Sequence, residues 1–165
     1  MEESPVKNTS DIPTTTSQTI PLSELDGSNV DASYSEEELL FVYGTLMRGG
    51  PMHGHLCLKG RDVQFISTAR VSGILYDATH FPVLRLIPGR LIVQGELFSF
   101  PKSRNICEKY LDGIEGVGGG LYDRVEAVVV MPTGLRVRAW TYVGHGNWYM
   151  KYPMLVDGCW KNSRT

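Results

Sequence analysis

Long apolar runs are missing from this 165-residue chain. No stretch approaches the roughly 20 residues that a membrane-spanning helix needs, and the N-terminus has no hydrophobic signal core. A cytoplasmic protein with no membrane partner is therefore expected. Cysteine is scarce: Cys57, Cys107 and Cys159 are odd in number and widely spaced. That argues against a disulfide framework and fits a reducing compartment. Charge of one sign is also lacking. The formal net charge is −2, but residues 1–35 carry −5 and residues 36–165 carry +3. A mildly basic domain favours small anionic ligands, whereas nucleic acid calls for a basic stripe that is not there. Arg136 and Arg138 beside Trp140 and Tyr142 are only two bases on one strand, so they read as a solvated face.

Several chemistries are missing their signatures. Gly49-Gly50-Pro51 lacks the Lys-Ser/Thr of a phosphate-binding loop. His53-Gly54-His55 has no cysteine or carboxylate cluster close in sequence to complete a metal set, and no metal or other cofactor is expected. None of the cysteines lies on a sharp glycine-flanked turn of the nucleophile type.

What is present divides in two. Residues 1–35 are rich in Ser, Thr, Pro and Asp, with Tyr34 as the one aromatic, and read as a disordered acidic tail. Residues 36–165 read as one domain of short strands broken by glycines. Leu39–Tyr43 reads as the first strand, and His53–Leu58 as a short helix. Val63–Leu75 follows as a long strand, bent near Gly73. Leu91–Phe100 is a further strand, with a bulge or close approach at Gly95. Arg104–Ile114 is the one convincing helix, with Ser103 as N-cap, Ile106, Tyr110, Leu111 and Ile114 at helical spacing, and Gly116 as terminator. Leu121–Met131 and Leu135–Gly144 flank Pro132-Thr133-Gly134 as a hairpin. The fold class is α+β, mostly β with one or two packed helices.

Two segments carry chemistry. The apolar run Leu39–Val42 stops at Tyr43-Gly44-Thr45-Leu46, leaving backbone N–H groups unpaired at a glycine that permits close approach. Such a cluster suits a carboxylate or an oxyanion. Leu111-Asp112-Gly113-Ile114-Glu115-Gly116 offers a carboxylate at a helix end. There the macrodipole and a lean toward the buried side both raise the proton affinity of Glu115. Tyr122 is a further candidate for the cavity, with packing against the barrel as the alternative, and Tyr142, a secondary candidate, could face the cavity or the opposite side. Arg124 is expected to pair with Asp112 or Glu126, or to satisfy carbonyls at the helix end.

Val42-Tyr43-Gly44-Thr45-Leu46 with Arg48-Gly49, the Leu111–Gly116 segment, Tyr122-Asp123-Arg124 and Val128–Val130 occur in an order that resembles the gamma-glutamylcyclotransferase-like family. The likeness is greatest to the gamma-glutamylamine cyclotransferase branch. Lesser echoes are Phe81-Pro82, Gly95-Glu96-Leu97 and Ala139-Trp140-Thr141-Tyr142. The resemblance implies a small mixed β-barrel of about five to seven strands with packed helices and a cavity at one end. It implies Glu115 as general base and acid, and Tyr43, Gly44, Thr45 and Leu46 as the substrate loop, with Tyr122 nearby. The implied reaction cyclises a small-molecule γ-glutamyl amide or peptide to 5-oxoproline and releases an amine. Two readings stay beside it: a same-fold enzyme acting on another amide, and a non-catalytic anion-binding module. The chain departs from the family at Val117-Gly118-Gly119-Gly120 and at Gly158-Cys159-Trp160, and the glycine run is the expected place for altered substrate choice. The identity of the leaving amine and the oligomeric state are open at this level.

Overall fold

The computed structural model describes residues 34, 36–57, 62–89 and 91–160. The expectation for residues 1–35 therefore lies, apart from Tyr34, outside the described residues, as does Leu58 of the first short helix. Six strands are present: β1 (Glu37–Val42), β2 (Gln64–Asp77), β3 (Pro82–Leu86), β4 (Ile92–Pro101), β5 (Tyr122–Val130) and β6 (Arg136–Gly144). A short helix α1 (His53–Leu56) follows β1.

The sheet runs β3-β2-β4-β1-β6-β5, and a further pairing of Arg70 on β2 with Val130 on β5 closes it. β2, β4, β1, β6 and β5 thus form a five-stranded mixed barrel, with β3 as an extra strand. β2 is long enough to serve both parts. It pairs with β4 as far as Ser72 and with β3 from Gly73 onward, so the expected bend marks a change of partner. A Cβ on Gly73 would strike the Arg85 carbonyl, which explains the glycine there. At Gly95 a Cβ would meet the Val42 carbonyl and the Phe41 ring, so close approach rather than a bulge applies. The bulge lies in β2, between Phe65 and Ser67.

β1 runs parallel to β6, while β5 and β6 are antiparallel with Tyr122 opposite Gly144. The C-terminal ends of β1 and β6 and the start of β5 therefore meet at one end of the barrel. Leu40 and Phe100 are buried on the opposite face of the sheet, while Phe41, Val93, Leu97, Val129 and Val137 are among the residues that fill the interior. Thr141 is also buried there, and its hydroxyl donates to the Phe41 carbonyl at 3.0 Å.

The expected Arg104–Ile114 helix differs in its first half. Lys102–Arg104 is a 3₁₀ turn, and Asn105 breaks it in the left-handed region at φ 47°. Ser103 caps nothing. Instead the Asn105 carbonyl accepts from Lys109 N–H, and its side-chain amide donates to Glu108 at 2.8 Å. A π-helical turn, Cys107–Leu111, then leads into α2 (Asp112–Ile114). The wider turn brings Ile106 and Leu111, five residues apart, to the buried side and rotates Tyr110 and Ile114 toward solvent. Gly116, at φ 68°, ends the helix as expected. No helix among the described residues is long and apolar enough to cross a membrane.

Candidate active site

A cavity of about 270 Å³ opens at the end of the barrel where β1, β5 and β6 converge. Tyr43, Gly44, Thr45, Leu46, Glu115 and Tyr122 all line it, so two segments some 70 residues apart in sequence share one site. Sequence reasoning left Tyr142 open between two sides; it also faces this cavity. Phe81 and Pro82, from the turn into β3, complete the far wall.

The loop after β1 is a series of tight turns that consume carbonyls. Met47 N–H donates to Gly44 O at 3.0 Å, Met52 N–H to Thr45 O at 2.9 Å, and Gly50 N–H to Met47 O at 2.8 Å. The N–H groups of Gly44, Thr45 and Leu46 have no acceptor among the described residues. An anion entering the cavity would meet those donors.

Glu96, buried on β4, tethers the loop. It accepts from Arg48 N–H at 2.8 Å and from Arg48 Nε at 3.4 Å, while the guanidinium lies over the Phe65 ring. His53 on α1 bonds the Leu46 carbonyl through Nδ1 at 2.9 Å, which gives that histidine a structural task. No metal-binding group of three or more His, Cys, Asp or Glu occurs among the described residues.

Gly44 is required for a reason other than ligand approach. A Cβ there would overlap the Pro82 ring, so the loop and the β3 turn meet across this glycine. Tyr122 Oη donates to the Pro82 carbonyl at 2.7 Å and braces the same turn. Its oxygen lone pairs remain to accept from a ligand. Tyr43 Oη donates to the Tyr142 carbonyl at 2.6 Å and accepts from Leu84 N–H at 3.3 Å, so its hydroxyl belongs to the scaffold.

Glu115 follows α2, and its N–H donates to Leu111 O at 2.9 Å. The side chain is half-buried, and its carboxylate has no hydrogen-bond or ion-pair partner among the described residues. Burial pushes it up to about 7, from an ordinary 4.5. Desolvation is the cause; a helix this short contributes little dipole. Burial also raises Tyr43, Tyr122 and Tyr142, with the Glu115 charge as a lesser contributor to each. All three stay neutral hydroxyls near neutral pH, whereas the Glu115 carboxyl exchanges protons there.

Asp112, three residues before Glu115, points the other way. It accepts from Tyr142 Oη at 2.8 Å and pairs with Arg124 Nε at 2.9 Å. Arg124 in turn stacks on Trp140 at 4.4 Å. Of the partners expected for Arg124, Asp112 is the one it takes. Gly118, Gly119 and Gly120 are exposed and do not line the cavity. Positive φ at Gly116, Gly118 and Gly120 folds the segment back so that Leu121 returns beside Gly116 and reaches the cavity.

Comparison with known proteins fits this arrangement. Among solved structures, an AIG2-like protein from Mus musculus matches with a TM-score of 0.61 at 24% identity, covering 73% of this chain and 86% of the mouse chain. YkqA from Bacillus subtilis matches at 0.57 and 22% identity, over 78% of this chain and 41% of its own. A gamma-glutamyl cyclotransferase matches at 0.53 and 23% identity, over 72% and 70%. At such identities these likenesses bear on the fold. No curated protein sequence matches the chain. The family model for gamma-glutamyl cyclotransferase, AIG2-like, matches residues 40–162, from β1 past every element that lines the cavity, and the chain belongs to that family.

Proposed function

We propose that this protein is a cyclotransferase that converts a γ-glutamyl amide or peptide to 5-oxoproline and a free amine, with Glu115 as the proton shuttle. The observation that carries this reading is the unpaired Glu115 carboxyl, raised by burial to about 7, in the same cavity as the free N–H groups of Gly44–Leu46. A binder of anions gains nothing from a carboxylate there, whereas an acid/base catalyst working near neutral pH does.

The chemistry needs little else. The substrate's own α-nitrogen is the nucleophile, so attack is intramolecular once the γ-glutamyl chain is curled. Glu115 takes a proton from the α-ammonium, and the freed amine attacks the γ-carbonyl carbon. The new C–N bond closes the five-membered ring. Glu115 then returns its proton to the departing nitrogen as the original C–N bond breaks, and the extra proton left on the ring nitrogen passes to the released amine, which leaves as an ammonium. No water is consumed, and the two products together contain all the atoms of the substrate. Gly44–Leu46 N–H groups would hold either the α-carboxylate or the oxygen on which charge develops. The oxygen of Tyr122 is available to accept from the α-ammonium.

The test is 5-oxoproline release from γ-glutamyl amino acids, γ-glutamyl-ε-lysine, glutathione and simple γ-glutamyl amides, with wild type beside Glu115→Gln. Wild-type product with at least a hundredfold lower kcat in the variant is expected, the usual scale for a lost general base. Near-wild-type activity in Glu115→Gln would remove the shuttle from the mechanism. No product from any substrate would favour a different amide or a non-catalytic role.

A further inference from the structure

Glu115 is flanked by two large apolar side chains that the fold leaves uncovered. Ile114 is 37% exposed and Leu121 is 43% exposed, and both line the cavity. The π-helical turn rotates Ile114 outward, and the glycine-rich return from Gly116 to Gly120 delivers Leu121 against Gly116, where a Cβ would stand 3.1 Å from Leu121 Cδ1. The Leu121 carbonyl is held by two donors, His145 N–H at 2.9 Å and Trp148 Nε1 at 3.2 Å, so this residue is pinned at the rim. Met52, Phe81 and Pro82 continue the apolar lining on the other elements.

Charged groups near the site are committed elsewhere. Arg48 is tied to Glu96 and Phe65, and Arg124 to Asp112 and Trp140. His80, exposed on the turn between β2 and β3, is the one basic side chain among the described lining residues. A carboxylate on the carbon next to the scissile nitrogen would therefore face Glu115 and an apolar rim, losing water with only the exposed His80 to meet it. An apolar amine would instead cover Ile114 and Leu121 and be stabilised by their burial.

We infer that the preferred substrate is a γ-glutamyl amide whose leaving amine is apolar, aromatic or branched alkyl, carrying no charge beyond the scissile nitrogen and seated on Ile114 and Leu121. This rests on the cyclotransferase reading above and narrows it. The polar γ-glutamyl half occupies the N–H groups of Gly44–Leu46, and the leaving half extends across the rim.

The experiment compares kcat/KM of the full chain for γ-glutamyl-benzylamide and γ-glutamyl-3-methylbutylamide against γ-glutamyl-methylamide, γ-glutamylglycine, γ-glutamyl-ε-lysine and glutathione. The two apolar amides are expected to exceed the others by about tenfold or more, the scale of a few buried methylenes. Leu121→Asn and Ile114→Asn, at exposed positions where folding is little affected, are each expected to lower the benzylamide-to-methylamide ratio several-fold. Equal or better turnover of γ-glutamylglycine, ε-lysine adduct or glutathione would overturn this inference and leave the cyclotransferase reading standing. So would a ratio that neither variant moves. No 5-oxoproline from any substrate would overturn the reaction itself, and this inference with it.

Discussion

Tyr142 donates its hydroxyl hydrogen to Asp112 Oδ1 at 2.8 Å, and Asp112 lies one helical turn before Glu115. With the Arg124 ion pair on the same carboxylate, this bond fastens α2 to β5 and β6. Asp112 thus acts on the site through the backbone that carries Glu115, as a positioning residue. Asp112→Ala should leave Tyr142 and Arg124 without their acceptor and cost about 2 kcal/mol of stability, the scale of a lost part-buried charged hydrogen bond. It should also lower kcat about tenfold, with a smaller change in KM, because the misplaced group is the proposed shuttle rather than the proposed binding loop. Asp112→Asn, which keeps one acceptor, should recover part of the kcat. Urea unfolding and steady-state kinetics on both variants would check this. Equal kcat in wild type and Asp112→Ala would sever the link between this network and Glu115.

Glu96 does for the substrate loop what Asp112 does for the helix. Its two oxygens hold Arg48 through the backbone N–H and the side chain. Glu96→Ala should free that turn and leave the part-buried Arg48 N–H unpaired, destabilising the fold by about 1–3 kcal/mol. The kinetic effect should fall mainly on KM, since Gly44–Leu46 are assigned to binding. A variant whose KM is unchanged while kcat collapses would mean that the loop serves the transition state alone.

At Gly44 the crowding comes from Pro82, not from ligand. Gly44→Ala should therefore cost about 1–3 kcal/mol even without substrate, the usual range for overpacking. Gly44→Val should cost more and raise KM by spreading the loop from the β3 turn. Differential scanning calorimetry of the unliganded variants separates this from a purely ligand-directed glycine, for which stability would not change.

Much of the barrel was legible because periodicity and turn chemistry agree over long segments. β1, β2, β4, β5 and β6 each fall within about two residues of the expected span, and Gly95 and Gly116 do what a glycine in those places suggests. β3 was missed. It is five residues long and opens with Pro82, so neither alternation nor length marks it, yet it supplies a wall of the cavity. The π-helical turn was also invisible, because the apolar positions Ile106, Tyr110, Leu111 and Ile114 fit an α-helix on paper. The five-residue step is seen only once Ile106 and Leu111 are found buried and Ile114 is not. Tyr142 follows Thr141, and both are buried, one inside the barrel and one under α2; alternation alone cannot say that both faces of β6 are covered there. Glu96 figures in the sequence only within the Gly95-Glu96-Leu97 echo, and its tie to the loop is hidden there because its partner Arg48 is 48 residues away.

The pH dependence of stability offers a check on Glu115 that needs no substrate. Its carboxyl binds a proton more tightly in the folded state, at about 7, than in the unfolded chain, at about 4.5. The folded state therefore holds the extra proton between those values, and stability falls as pH rises through that window. Below it both states are protonated and above it both are ionised, so the contribution is flat on either side. The full difference is at most about 3 kcal/mol, from 1.36 kcal/mol per pKa unit, and partial solvent access will reduce it. Glu115→Gln carries no titrating group and should lack this slope. It should be more stable than wild type at pH 8, with the gap closing toward pH 4, while its turnover is lost. Urea unfolding of both proteins at intervals across that range measures the difference directly. If the two stability curves run parallel from pH 4 to pH 8, Glu115 titrates as an ordinary surface carboxylate, and a proton shuttle tuned by burial is no longer tenable.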